Sequence, residues 1–484
     1  MQNTGRLWIA SILGLTLAAC SVGWAGAGEP AASYNDLQYP ELHDVVVPDV
    51  QRVTLPNGMR LFVLEDHELP LINMSARIRV GSIYEPAGKV GLAEITGEVM
   101  RTGGTTTRTG DELDDLLEQI AASVETGITL NAGYASVSVL KDDVDTGLEI
   151  LADVLMHPAF PQDKIELAKM QLRSSISRRN DDPGEMAARE FSKLIYGADS
   201  PYARQMEYAT VDSVTRDDLA AFHRRYFGPN NMMLAVWGDF DSDDIIKEIE
   251  QAFSGWKQID LDLPPTPEVD YAWRSSVNLV PQPDLDQSNI YVGHIGGLTS
   301  DPDYFALTVM NEILGGSFTG RLFKNVRSRL GLAYSVSGVY GTAFDHRSLF
   351  RMGCQTKSAS TVQAIEAMIA QARRMTTEEV TDEELAIAKD AFLNSFVFNF
   401  DSTGEIVSRL MTYEYFGYPV DFLQKTRAGV EQVTKADVLR AAQTHLRPDQ
   451  MQILVVGNPE DFDQLLSTLG PVQTIDITIP MPED

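Results

Sequence analysis

Histidine and cysteine are scarce in this 484-residue chain, which holds seven of the first and two of the second. His43, His67, His157, His223, His294, His346 and His445 are spread so that no two stand close, leaving no histidine pair at metal-ligand spacing. Cys20 falls in a leader and Cys354 stands alone, so the mature fold has no internal disulfide. Cys354 itself, in the run Leu349–Cys354, reads as a small buried strand residue. Positive charge is short as well: 39 Lys and Arg against 69 Asp and Glu give a net charge of −30. A nucleic-acid partner is therefore not expected, because phosphate contacts need a basic surface. No Ser/His/Asp or Cys/His constellation stands out, and beyond Leu7–Leu17 no stretch is apolar enough for a membrane helix.

That one apolar run, behind Arg6, has the make-up of an export signal. It ends in Leu17-Ala18-Ala19-Cys20, which looks like a lipobox, so residues 1–20 are expected to be a lipoprotein-type signal peptide with lipid on Cys20. The implied place is the bacterial periplasm, anchored to a membrane, with Ser21 pointing to the outer one. Cleavage near Ala25-Gly26-Ala27-Gly28, giving a soluble secreted or periplasmic protein, is the alternative. Residues 21–45 read as a tether.

Beyond the tether, apolar residues alternate around Asn57-Gly58 as in a hairpin, and alternate again from Ile72 to Val80. Helical spacing then marks Leu113–Ile120 behind Asp111, and Val144–Leu155 before His157-Pro158. Strands are expected around Ile128–Leu130 and Val137–Val139. Hairpin-type strands mixed with helices predict an α+β fold, not a doubly wound parallel sheet. The chain also repeats itself. Val214-Thr215, Pro229 and Gly238 recur as Val433-Thr434, Pro448 and Gly457, each displaced by 219 residues. A proline-rich stretch, Leu261–Pro267, separates the copies. The expected plan is two homologous domains at 46–256 and 274–484 joined by a linker at 257–273.

The stretch Gly91–Met100 reads as the middle of a helix, with Val90, Ala93, Gly97 and Met100 on one face. By spacing alone, Glu94 and Glu98 are a solvated i,i+4 pair, and Gly97 marks close packing. Two carboxylates without imidazole suit only a hard cation with further oxygen ligands, and nothing nearby has the spacing to supply them. The stretch nevertheless resembles the H-x-x-E-H helix of the inverted-motif zinc peptidases, the pitrilysin/insulysin family that includes mitochondrial processing peptidase. There two imidazoles hold zinc and the intervening Glu acts as base. The resemblance puts Glu94 and Glu98 at the histidine positions and Gly97 at the base. The family's remaining ligand, a Glu ahead of a run like R-R-x-D-D-P, falls on Ser175 in the run Ser174–Pro183. All three ligands and the base are replaced, so the resemblance implies that this chain binds no zinc of its own.

A second run, Arg321–Val336, preceded by Asn311-Glu312-Ile313-Leu314-Gly315-Gly316-Ser317, strengthens the likeness. It reads as a helix stopped near Gly331, with Tyr334 starting a strand. By themselves Arg327 is a surface ion-pair residue and Tyr334 a half-buried aromatic. In the resembled family an Arg and a Tyr at this spacing cross a closed chamber to hold substrate and stabilise the oxyanion at the zinc. The resemblance covers roughly residues 46 to 484. It implies two domains, each a mainly antiparallel sheet packed with helices, forming half of that chamber. A homologous H-x-x-E-H-bearing subunit would supply the zinc, and unfolded peptides would be the substrate. Two alternatives stay open: a peptide-binding or structural scaffold without a peptidase partner, and a zinc endopeptidase in its own right.

Overall fold

A computed structural model describes residues 48–481, which belong to one compact unit. Cys20 and the stretch 21–45 lie outside the described residues. Two lobes follow one another along the chain. The first contains β1 (Gln51–Thr54), β2 (Arg60–Glu65), β3 (Leu71–Ile78), α1 (Leu92–Thr102), α2 (Gly110–Gln119), β4 (Ser123–Ile128) and β5 (Gly133–Leu140). It continues through α3 (Val144–Met156), α4 (Gln162–Arg178), α5 (Pro183–Tyr196), α6 (Tyr208–Asp212), α7 (Arg216–Tyr226), β6 (Met232–Gly238) and α8 (Ser242–Ala252). The second contains β7 (Ser276–Pro281), β8 (Gln287–Ile295), β9 (Gly297–Leu298), α9 (Tyr304–Asn311), β10 (Ala333–Tyr340), β11 (Thr342–Ala343) and β12 (Leu349–Lys357). It closes with α10 (Thr361–Thr377), α11 (Asp382–Phe396), α12 (Thr403–Phe416), α13 (Phe422–Gln432), α14 (Lys435–His445), β13 (Gln452–Gly457) and β14 (Val472–Thr474).

Each lobe is built on a six-stranded sheet, in the orders β1-β2-β6-β3-β5-β4 and β10-β12-β8-β13-β7-β14. Most neighbours are antiparallel; β2–β6, β13–β7 and β14–β7 are parallel. The fold is thus α+β, mainly antiparallel sheets packed with helices. The Asn57-Gly58 turn links antiparallel β1 and β2, with Gly58 at φ +88°, a conformation glycine adopts without strain. Strand β3 alternates as its sequence does, sending Ile72, Met74, Ala76 and Ile78 into the core. Helix α2 is capped by Thr109, whose side chain exchanges hydrogen bonds with Glu112, rather than opened by Asp111.

The 219-residue repeat is visible in detail. Thr215 caps α7 through Asp218, and Thr434 caps α14 through Asp437, each as a reciprocal capping box. The inner strands β6 and β13 occupy matching places in the two sheets. No helix or strand falls within 257–273.

The lobes also exchange helices. Helix α12, from the second half, lays Ile406, Val407, Met411 and Tyr415 on Phe62, Leu64, Met233 and Ala235 of the first sheet. Helix α5, from the first half, lays Met186, Ala187, Phe191 and Ile195 on Val280, Ile295, Leu454 and Val456 of the second. Polar contacts reinforce both seams: Arg60–Glu414 at 2.8 Å, the Tyr415 hydroxyl donating to the Asn131 carbonyl at 2.6 Å, and Gln452 donating to the Leu194 carbonyl at 3.0 Å.

Candidate functional site

Helix α1 runs Leu92–Thr102 with Gly91 at its N-cap, so Gly91–Met100 spans the cap and most of a short helix rather than the middle of a longer one. Gly91 precedes it in the left-handed region, at φ +109°, which a side chain would strain. No side chain of the capping residue closes this end. Glu85 does so from six residues back, its buried Oε1 accepting from the Gly91 N–H at 3.2 Å and the Ala93 N–H at 2.5 Å. Burial raises the Glu85 carboxyl to about 7, against the pull of those donors and of Arg204 4.0 Å away. Nothing in the sequence marked Glu85 beyond an acidic residue shortly before a helix.

Glu94 and Glu98 lie one turn apart on α1, Glu94 exposed and Glu98 partly so. Both carboxyls sit above their ordinary range, because protein crowds their water and, for Glu94, because Glu98 adds a like charge. Gly97 faces inward and is buried against β4, whose Thr126 hydroxyl donates to its carbonyl at 2.6 Å. Ser175 is exposed on α4, which packs against α1. Among the described residues, no group of three or more His, Cys, Asp or Glu is arranged to hold a metal ion. Zinc, the metal the family implies, does not fit this donor set of two carboxylates that repel each other and a serine hydroxyl, and Gly97 supplies no base.

The run after Ser175 is taken up by structure. Arg179 grips both Glu207 oxygens at 2.9 Å, Asn180 donates to the Ile477 carbonyl at 2.9 Å, and Asp182 caps α5 with Pro183 at its first position. A pocket of about 570 Å³ opens beside it, lined by Ser175, Arg178, Glu185 and Arg189 among others.

In the second lobe, Arg321–Arg329 winds partly as a π-helical turn over Phe323–Arg329, ending near Gly331 before β10. The widened turn is a local departure that spacing alone did not foresee. Arg327 makes no ion pair among the described residues; its guanidinium lies 4.7 Å from the Phe323 ring centre. Tyr334 is not half-buried: 74% of it is exposed, on the edge strand β10. Nearby in sequence Phe318 (77%), Leu330 and Val339 are exposed too. Among the described residues, no hydrogen bond or ion pair joins Arg327 or Tyr334 to Glu94, Gly97, Glu98 or Ser175. His223 and His294 are buried structural residues, hydrogen-bonded to the Leu155 and Ile295 carbonyls. Cys354 is buried in β12.

Comparison with known proteins agrees with this architecture. Residues 63–202 match the insulinase family (peptidase family M16), and residues 213–392 match the peptidase M16 inactive domain. The chain belongs to the M16, or pitrilysin-like, peptidase family. An uncharacterized zinc protease of Rickettsia felis is 27% identical over 342 residues, covering 69% of this chain and 80% of that relative. One of Bacillus subtilis is 24% identical over 365 residues, covering 74% and 87%. A peptidase M16 inactive domain from Pseudomonas fluorescens superposes with a TM-score of 0.76 at 24% identity, covering 85% of this chain and 98% of that one. A protease from Helicobacter pylori gives 0.73 at 18%, covering 84% and 99%. These two likenesses bear on the fold.

Proposed function

We propose that this chain is the non-catalytic subunit of an exported zinc metalloendopeptidase, working with a homologous subunit that carries H-x-x-E-H. The chain itself binds no zinc; the partner does. Arg327 and Tyr334 reach substrate in the partner's site, holding the peptide backbone and stabilising the oxyanion that forms as its carbonyl is attacked. The two subunits enclose a chamber, unfolded peptides are the substrate, and lipid on Cys20 holds the complex at the periplasmic face of a membrane.

One contrast carries this reading. The positions for zinc hold residues that do not suit it, while Arg327 and Tyr334 stand exposed at the surface, Arg327 without an ion pair among the described residues. The exposed Phe318, Leu330 and Val339 fit a surface that meets peptide or partner. The test is reconstitution with a homologous H-x-x-E-H chain encoded beside this one. Peptide cleavage is expected from the mixture and not from this chain alone, with zinc held only by the partner. Stoichiometric zinc on this chain alone, or partner activity indifferent to its addition, overturns the assignment.

A further inference from the structure

At position 97, the place of the base, the misfit goes deeper than a missing side chain. A Cβ placed on Gly97 would lie 2.5 Å from the Ile128 nitrogen, and 2.7 and 2.8 Å from the Gly127 carbonyl carbon and Cα. All three are backbone atoms of β4, which cannot swing aside as the tip of a side chain can. The crossing is fixed further by the Thr126 hydroxyl on the Gly97 carbonyl, with both residues buried. Among the described residues, strand β4 has one hydrogen-bonded neighbour, β5, and α1 packs against it. The remaining three positions are different: Glu94 and Ser175 are exposed and Glu98 partly so, and larger side chains there meet water first.

We infer that Gly97 is a positioning residue for edge strand β4, and that strand backbone fills the space into which a general base would project from α1. This rests on the assignment of positions 94, 97, 98 and 175 to the family's site. The loss of the base is thus written into how helix and strand pack, whereas the lost ligands are surface substitutions. Recovery of the four family residues divides accordingly. The ligand types can return with the fold intact; the base cannot return without moving β4.

Gly97→Ala in the full chain gives the decisive sign. Helix propensity alone raises the melting temperature when an interior glycine becomes alanine. The crowding at β4 lowers it, and amide exchange quickens across Val124–Ile128. Gly147→Ala in α3, whose nearest neighbours are valine side-chain carbons at 3.3 and 3.4 Å, should shift the melt less. The triple variant Glu94→His, Glu98→His, Ser175→Glu should melt close to the wild type, and adding Gly97→Glu should lower the melt sharply. A Gly97→Ala protein that melts higher with unchanged exchange in β4, or a quadruple variant as stable as the triple, overturns the inference. Either result leaves the subunit assignment standing; that assignment fails separately, if the wild-type chain holds stoichiometric zinc.

Discussion

Arg321 and Glu384 form a two-pronged ion pair, Nε to Oε1 at 2.7 Å and Nη2 to Oε2 at 2.8 Å. It fastens the head of the Arg321–Val336 run to the first turn of α11, so the segment bearing Arg327 and Tyr334 starts from a fixed point. The Arg321 fork, together with the Thr381 N–H, holds the Glu384 carboxyl down at about 2.

A folded-state value below the unfolded one means stability present above the ordinary carboxylate range and lost as pH falls through about 2. Water reaches part of the pair, so its worth is about 1–2 kcal/mol rather than the full shift. Glu384→Gln should lower the melting temperature at pH 7 and bring it closer to the wild type at pH 2–3. Denaturation series at several pH values check this.

Above that range, two buried histidines and one buried glutamate oppose each other. Burial lowers His223 and His294 to about 4, so each contributes stability that is full above its ordinary range near 6.5 and drains as pH falls towards 4. Glu85, raised to about 7, acts the other way: it stabilises most when protonated and costs stability as pH rises from 4.5 through 7. Each amounts to roughly 2–3 kcal/mol across its window. Melts between pH 4.5 and 7.5 should show a shallower acid loss for His223→Asn and a steeper one for Glu85→Gln. Parallel curves for all three proteins would contradict this.

The exchanged helices predict that neither half stands alone. Residues 48–256 without α12 would expose Phe62, Leu64, Met233 and Ala235. At about 25 cal/mol per Å² of apolar surface, losing that cover removes several kcal/mol, a large part of a typical domain's stability. Halves made separately should aggregate or stay poorly folded, whereas halves made together should purify as one complex. A monomeric, cooperatively melting first half would refute this.

Within a reconstituted peptidase, Tyr334→Phe removes one hydroxyl and keeps the ring. Loss of a single oxyanion donor costs roughly 10²–10³ in turnover. Arg327→Ala should do more harm, since charge and the contact with Phe323 go together. Lost kcat/KM with zinc content and subunit association unchanged is the expected pattern; full activity in both variants would reduce these residues to a structural role.

Cys20→Ala should release the protein from the membrane or stall its processing, because the lipid would have no attachment point. A single acyl chain binds weakly, at about 0.8 kcal/mol per buried CH₂, so stable anchoring needs more than one. Mass and membrane fractionation of the mature protein decide; no change in either favours plain secretion.

Periodicity carried much of the fold. The alternation of Ile72–Ile78 and the paired Val214/Val433 and Gly238/Gly457 were legible because side-chain direction follows local geometry. The exchange of α5 and α12 was not, since an apolar helix face does not say which sheet it covers. At the candidate site, the identities of Glu94, Gly97, Glu98 and Ser175 were plain. Glu85 and the crossing of Gly97 on β4 were not, because both depend on contacts across segments distant in sequence. Tyr334 was half right: in a strand, but on the exposed edge, where burial patterns give no guidance.

The helix exchange has a bearing on how the chain is made. Because α12 ends at Phe416, the outer face of the first sheet, begun near residue 50, stays uncovered until most of the polypeptide has been synthesised. Such late, long-range closure slows folding. A polypeptide that completes neither half early remains threadable for longer, as the proposed export would require.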